Sequence, residues 1–127
     1  MLEKKDGDQP IRSYRDLRIY QRSYAAALEV HRLTLKFPTF ERSELGSQLR
    51  RASSSIPINI AEGYGRKKSA SDFKRFLIIA LGSCDETSVL LDFSRDLNYL
   101  DEETHALLKE KYEEIGKGLT KTIQIWK

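Results

Sequence analysis

The sequence has few of the residues on which disulfides, metal centres and membrane spans depend. Its 127 residues include one cysteine, two histidines, three prolines and one tryptophan. A lone cysteine, Cys84, cannot form an intramolecular disulfide, which points to a reducing compartment. The longest purely apolar run covers residues 76–81, whereas a membrane-spanning helix needs about 20 residues. The polar N-terminus is unlike a secretory signal, so we expect a cytoplasmic protein.

Charged residues are abundant, at 32% of the chain, and they are unevenly distributed. Residues 42–75 carry eight Lys and Arg against three Asp and Glu, whereas residues 76–127 carry six against ten. A basic middle third fits a surface that faces nucleic acid. The same asymmetry fits a protein whose copies attract one another head to tail, and the sequence leaves both interpretations open.

Apolar residues recur at spacings of three and four, and no segment of convincing length alternates as a strand does. The pattern predicts four helices, at about residues 14–36, from residues 40–43 to 63–65, at 70–97, and from residue 102 to near the C-terminus. Ser13, Ser69 and Asp101 are suited to cap three of them. Short connections imply antiparallel neighbours, hence an all-α, antiparallel up-and-down four-helix bundle over residues 13–127. Residues 1–12 are polar and are predicted to be a flexible N-terminal tail.

Each predicted helix has an apolar stripe that should face the core. On the first helix we expect burial of Leu17, Tyr20, Tyr24, Leu28, His31 and Leu35. The other stripes are Leu45, Leu49, Ala52, Ile56 and Ile60; Phe73, Phe76, Leu77, Ala80, Cys84, Leu91 and Ser94; and Leu108, Tyr112, Ile115, Leu119, Ile123 and Trp126. Residues 76–81 are apolar all round, so they need a second covered surface, either another helix of the bundle or another subunit.

Pro57 lies within the second stripe. A proline inside a helix removes one backbone donor and clashes with the carbonyl four residues back, here that of Ser53. Because the apolar period continues in phase, we predict one helix kinked at Pro57 and not two helices. Asn59 is expected to satisfy backbone groups opened at the kink, and Glu62 to pair with Arg66 on the helix surface.

Residues 55–66 read SIPINIAEGYGR and closely resemble a signature of the small bacterial four-helix-bundle family encoded in intervening sequences of 23S rRNA genes, also called S23 ribosomal protein-like. Further matches extend from about Tyr14 to Trp126, including RSELGSQLRRAS before the signature and FKRFLIIALGSCDE after it. The resemblance implies a ring-like homopentamer, related in architecture to the accessory variability proteins of diversity-generating retroelements. Those proteins associate with a reverse transcriptase and nucleic acid. The family has no established reaction, so no catalytic residue carries over.

The candidate nucleic-acid-binding residues are the cations within and around this signature. They are Arg50, Arg51, Arg66, Lys67, Lys68, Lys74 and Arg75. Antiparallel pairing of the second and third helices would gather residues 66–75 at one end of the bundle, where they could contact several phosphates. A solvated face or a contact between subunits explains the same residues. Tyr64, between two glycines, is the best candidate for stacking on a base.

The candidate residues for a metal centre and for a nuclease site can be compared with the ligand patterns that such sites need. Glu102 and His105 match the Glu-x-x-His element of di-iron bundles, but the other histidine, His31, has leucine three residues before it. The remaining candidate magnesium ligands are three aspartates at helical spacing with no flanking His or Lys: Asp85, Asp92 and Asp96. We therefore expect no metal, no cofactor and no catalytic residue.

The sequence thus favours a non-enzymatic, homo-oligomeric helical module that binds RNA or DNA through its basic middle third. The alternative is a protein-interaction scaffold that docks a partner enzyme such as a reverse transcriptase. Salt-dependent binding to random RNA distinguishes the two. Magnesium-dependent cleavage would revive a third hypothesis, an RNA-processing nuclease.

Overall fold

A computed structural model describes residues 10–127, and this part of the chain is helical without any strand. A 3-10 turn at Tyr14–Asp16 precedes the helices α1 (Arg18–Thr34), α2 (Thr39–Arg42), α3 (Leu45–Gly65), α4 (Ala70–Asp96) and α5 (Glu102–Ile125). Helix α3 packs on α1 and α4, and α5 packs on α4 and α1. The four long helices form the predicted up-and-down bundle, and α2 is a single turn in the connection between α1 and α3.

The predicted capping residues are confirmed. Ser69 Oγ accepts from the Asp72 backbone N–H at 3.2 Å, and Asp101 Oδ1 accepts from that of Thr104 at 2.7 Å. Ser13 forms the predicted capping box, but it caps the 3-10 turn and not α1. The α-helix begins only at Arg18, after an extended residue 17 (φ −76°, ψ 129°).

The predicted stripes of α3, α4 and α5 form the core. Most of their members are buried, and Leu45, Ile123 and Trp126 are half-buried against the same core. The apolar segment at residues 76–81 is only partly covered, with Ile78 and Ile79 exposed to 57% and 44%. The second surface predicted to cover this segment is therefore not supplied by the bundle.

The buried face of α1 differs from the predicted one. Of the predicted stripe Leu17 is buried, whereas these residues are half-buried or exposed: Tyr20, Tyr24, Leu28, His31 and Leu35. The buried face instead consists of Ile19, Ser23, Ala26, Val30 and Thr34. Several of these are small, and the buried hydroxyl of Ser23 donates to the Tyr20 carbonyl at 3.1 Å. The prediction was wrong because small residues allow α1 to approach its neighbours closely, whereas the larger tyrosines lie about a third of a turn away.

Helix α3 continues through Pro57. Leu45–Gly65 is one α-helix with Pro57 inside it, so the continuity is confirmed and the kink is not. Asn59 Nδ2 donates to the Ser55 carbonyl at 2.8 Å and to its hydroxyl at 3.0 Å. The amide therefore binds a carbonyl near the proline, but not the Ser53 carbonyl that Pro57 leaves free.

The predicted N-terminal tail lies mainly in residues 1–9, outside the described part of the chain. Ile11 already packs partly buried against the core. The Arg12 backbone N–H donates to Asp16 Oδ2 at 2.9 Å. The chain is thus attached to the bundle two residues before the predicted domain boundary. None of the helices within residues 10–127 combines the length and apolarity that a membrane crossing requires.

Gly63 lies at a close approach between α3 and α4. A Cβ atom at this position would be 2.7 Å from the Cβ of Phe76 and 3.1 Å from Cδ1 of Phe73. The same atom at Gly65 would meet nothing within 4 Å. Packing therefore requires glycine at the first of these two positions and not at the second.

Replacing Gly63 by alanine should lower the free energy of unfolding by roughly 1–3 kcal/mol, because α3 must move away from Phe76. The matched control Gly65→Ala should leave it unchanged or raise it by less than about 1 kcal/mol. Urea unfolding followed by circular dichroism measures both changes. Equal losses in the two variants would contradict the close-packing explanation.

Candidate nucleic-acid interface

Five of the predicted cations lie together where α3 ends and α4 begins. We call them the basic turn cluster: Arg66, Lys67, Lys68, Lys74 and Arg75. The turn is held by the Arg66 backbone N–H, which donates to the Gly63 carbonyl at 2.9 Å, and by the Ser69 cap of α4. All cations of the basic turn cluster are exposed except Lys74, which is half-buried. The antiparallel packing of α3 and α4 thus gathers residues 66–75 as predicted.

Aromatic rings position three of these cations without neutralising them. The guanidinium carbons of Arg66 and Arg75 lie 5.2 and 4.8 Å from the ring centroid of Phe76. The Lys67 ammonium lies 4.4 Å from that of Tyr64. Within residues 10–127 the ion pair that this cluster makes is between Arg75 and Asp72, at 3.7 Å on the surface. Most of its positive charge therefore remains available to an anion.

Arg50 and Arg51 do not belong to the basic turn cluster. Arg51 precedes Arg66 by fifteen residues, about 22 Å along a helix at 1.5 Å per residue. Arg50 is half-buried, and its guanidinium donates to Thr34 Oγ1 at 2.9 Å and to the Arg42 carbonyl at 2.8 Å. It ties α3 to α1 and α2. Arg51 is exposed beside a groove between α1 and α3. The seven predicted cations are therefore two separate groups.

The bundle adds further cations to the same end. The ring centroids of Trp126 and Phe73 lie 4.6 Å apart, which places the end of α5 beside the start of α4. Helix α1 packs antiparallel to α3, so the start of α1 lies near the end of α3. Residues 12–22, 62–75 and 117–127 together carry twelve Lys and Arg against three Asp and Glu. Residues 85–114, which lie mostly toward the other end, carry three Lys and Arg against ten Asp and Glu. Positive and negative charges are therefore concentrated at opposite ends of the bundle.

Two smaller predictions at this end are not supported. Tyr64 is only 8% exposed and makes an edge-to-face contact with Phe73, so its ring is not open to a base. Arg66 lies over Phe76 and makes no ion pair with Glu62 in the described part of the chain. Apolar periodicity predicts where both residues lie along the chain. It does not reveal that Tyr64 packs on Phe73 or that the Arg66 guanidinium lies over Phe76.

A polar contact away from the basic turn cluster joins α4 to α5. Asp92 Oδ1 accepts from Lys109 Nζ at 3.0 Å and lies 2.8 Å from His105 Nε2. His105 is buried, and its Nδ1 lies 3.4 Å from Nη1 of Arg95. The hydrogen bond with His105 and, to a lesser extent, that with Lys109 lower the pKa of Asp92, although partial desolvation opposes them. Apolar periodicity does not reveal this contact, because the partners are more than ten residues apart in the sequence.

The aspartates considered as magnesium ligands are used differently. Asp92 holds α5, Asp96 accepts from Arg95 Nε at 3.0 Å, and Asp85 is exposed. Within residues 10–127, no three His, Cys, Asp or Glu side chains are grouped so that they could hold a metal ion. Cys84 is buried as predicted and donates to the Tyr112 carbonyl at 3.2 Å. Burial raises its pKa to about 11, so the thiol stays protonated and unreactive near neutral pH.

The fold and its surface define a small helical-bundle protein whose candidate site is a cationic end of the bundle. The sequence profile of the 23S rRNA-intervening sequence protein family matches residues 15–121, and the chain belongs to this family. A similar solved structure is a protein of unknown function from the S23 ribosomal protein family of Bacteroides thetaiotaomicron, with a TM-score of 0.75 and 28% identity. The match covers 84% of this chain and 95% of that one. No curated protein matches the sequence.

Replacing Asp92 by alanine should lower the free energy of unfolding at pH 7 by about 1–3 kcal/mol, because buried His105 loses its partner. The folded pKa of Asp92 lies below its ordinary 3.8, so its stabilisation is complete above pH 3.8 and lost as the pH falls through the folded value. The difference between the wild type and the variant should therefore shrink in acid. Urea titrations from pH 7 downward measure it.

The control is Asp96→Ala, which removes a carboxylate whose side chain is 69% exposed. An exposed ion pair contributes about 0–1 kcal/mol, so this variant should unfold close to the wild type at every pH. A loss as large as that of Asp92→Ala would mean that surface charge alone, and not the buried contact, causes the effect.

Proposed function

We propose that this protein is a non-enzymatic, homo-oligomeric module that binds RNA or DNA through the phosphate backbone. The observation that carries the proposal is the basic turn cluster, whose cations are largely unpaired and three of which lie over aromatic rings. Phosphate contacts of this kind supply affinity but little sequence information. The ligand would therefore be selected by shape and charge.

The arrangement of the charge supports one end of the bundle as the contact surface. The basic turn cluster lies beside the cationic start of α1 and the end of α5, while acidic residues gather in the second half of α4 and the first half of α5. A polyanion is attracted to the first end and repelled from the other, which orients its approach. Arg50 has a structural role in this arrangement, and Arg51 lies on a different surface.

The proposed assembly is a homo-oligomer, with five subunits as the count that the family resemblance implies. It is supported by apolar surface that one bundle does not cover, on the outer side of α4 and between α1 and α3. In a ring, the basic turn clusters of all subunits act on one ligand. Several weak phosphate sites then combine into one stronger site.

The alternative is a scaffold that docks a partner enzyme such as a reverse transcriptase. The exposed apolar groove between α1 and α3 supports it, since such a groove can receive a helix of another protein. Under this alternative, nucleic acid is secondary and the basic turn cluster is a solvated surface. Direct binding measurements separate the two proposals.

Fluorescence anisotropy with a labelled structured RNA and a labelled DNA duplex tests the main proposal. The protein should bind at low salt, and the affinity should fall steeply as salt rises, because bound cations release counterions from phosphates. The double variant Lys67→Glu/Lys68→Glu should bind far more weakly and have a shallower salt dependence. Light scattering checks that the assembly is unchanged.

The matched control is Arg32→Glu/Lys36→Glu, which makes the same change in net charge at exposed positions near the other end of α1. It should retain most of the binding. Equal losses in both double variants would indicate a response to net charge without a defined site. An unmodified protein that binds neither ligand at low salt would overturn the nucleic-acid proposal in favour of the scaffold.

A further inference from the structure

Two aromatic rings lie next to the basic turn cluster, and both are buried. Tyr64 is 8% exposed and Phe76 is 9% exposed. Cations of the cluster lie over both rings. The guanidinium groups of Arg66 and Arg75 are over Phe76. The ammonium group of Lys67 is over Tyr64. A base that approaches this surface therefore meets cations and not an open ring.

The other aromatic rings near this end are also engaged. Phe73 is completely buried, and the half-buried ring of Trp126 packs on it edge to face at 4.6 Å between centroids. Tyr14 and Tyr20, both half-buried, make a similar contact at 4.8 Å. They line the groove between α1 and α3 together with the exposed Tyr24, and the proposed assembly covers this groove. Within residues 10–127, every aromatic ring at the cationic end is thus buried or half-buried.

The cluster also lacks the side-chain amides that read base edges. Residues 60–75 contain no Asn and no Gln, the residues that bind adenine through two hydrogen bonds. Proteins that bind single strands combine a basic surface with aromatic rings on which successive bases stack. The basic turn cluster has the basic surface without the rings. A single strand therefore gains little here beyond the contacts of its phosphates.

The two arginines of the cluster are held in a defined arrangement. Their guanidinium carbons lie 5.2 and 4.8 Å from the centroid of one ring, that of Phe76, so they are at most about 10 Å apart. Arg66 follows the end of α3 and Arg75 lies in the second turn of α4, so the packing of these two helices sets their separation. Positioned side chains lose little further freedom on binding. They are suited to a ligand whose phosphates are also in regular positions.

We infer that the basic turn cluster binds the phosphate backbone of a double helix in preference to a single strand. In a duplex the bases stack on one another, so the protein does not have to supply a ring. Duplex DNA also carries one negative charge per about 1.7 Å of its axis, a density that favours a surface with several cations. Phe76 and Tyr64 act as positioning residues, because they hold cations that contact the phosphates.

This inference rests on the nucleic-acid binding proposed above, and it names the form of the ligand. The chemistry concerned is the double-helical backbone that duplex RNA and duplex DNA share. The two proposals can fail separately. A protein that binds single strands as tightly as duplexes would retain the proposed function and contradict the preference.

Competition against a labelled DNA duplex tests the preference. The competitors are an unlabelled DNA strand of mixed sequence without self-complementarity, the same strand annealed to its complement, and the corresponding RNA strand and RNA duplex. At equal phosphate concentration, the better-bound duplex should compete about tenfold or more better than its own strand. The DNA and RNA arms identify which duplex that is.

Adding an exposed ring tests the reason for the preference. Gly65 is exposed beside Arg66, and a Cβ atom there would meet nothing within 4 Å. Gly65→Trp should raise the affinity for the single strand about tenfold and narrow the preference, because a base can stack on the new ring. The matched control Gly65→Leu adds apolar bulk without a ring and should leave the preference unchanged.

Removing a ring tests the positioning of the arginines. Phe76→Leu keeps every charge but removes the ring beneath Arg66 and Arg75. Duplex binding should weaken several-fold and single-strand binding less, so the preference should fall, whereas a general loss of folded protein would weaken both equally. Phe76→Tyr retains the ring and should bind as the wild type does. Urea unfolding and light scattering check the fold and the assembly of each variant.

The outcomes distinguish the two proposals. Equal competition by a strand and its duplex would contradict the duplex preference while nucleic-acid binding stands. The preference would also lack its physical reason if Gly65→Trp bound single strands no better than Gly65→Leu, and the inference would then be wrong. If neither strands nor duplexes bind the wild type at low salt, the inference and the proposed function are both wrong.

Discussion

The close packing of α3 against α4 is the contact on which the rest of this structure depends. It is possible because α3 has small residues on that side: a Cβ at Gly63 would collide with Phe76, and the hydroxyls of Ser55 and Ser83 lie 2.9 Å apart across the helices. The turn that joins these helices is short and is held by the Ser69 cap. Packing at this distance therefore also determines where the cations of the turn lie.

The same contact separates the charges of the chain. Antiparallel helices bring the basic turn to the end of the bundle that holds the starts of α1 and α4, whereas the acidic halves of α4 and α5 lie mostly toward the other end. At the acidic side the Asp92–His105 contact joins α5 to α4 at 2.8 Å, so the carboxylate helps to hold the two helices together. This division gives the bundle one cationic end and one acidic end.

The bundle has more apolar surface than one core can bury. The excess lies on two surfaces, the outer side of α4 and the groove between α1 and α3. A protein that assembles through its sides leaves its ends open. The basic ends of neighbouring subunits can then act together on an extended anion, which joins the proposed assembly to the proposed ligand.

Much of the fold followed from the sequence, because caps and apolar periodicity act over a few residues: Ser69 and Asp101 begin α4 and α5 as predicted, and the core stripes of α3, α4 and α5 are confirmed. The grouping of residues 66–75 followed in the same way from a short turn between antiparallel helices. Three results required the tertiary structure. These are the buried side of α1, the separation of Arg50 and Arg51 from the basic turn cluster, and the Asp92–His105 contact. Each depends on which neighbour approaches closely enough to exclude water. Periodicity along one helix places a side chain on a face, but only packing against the other helices decides whether that face is covered.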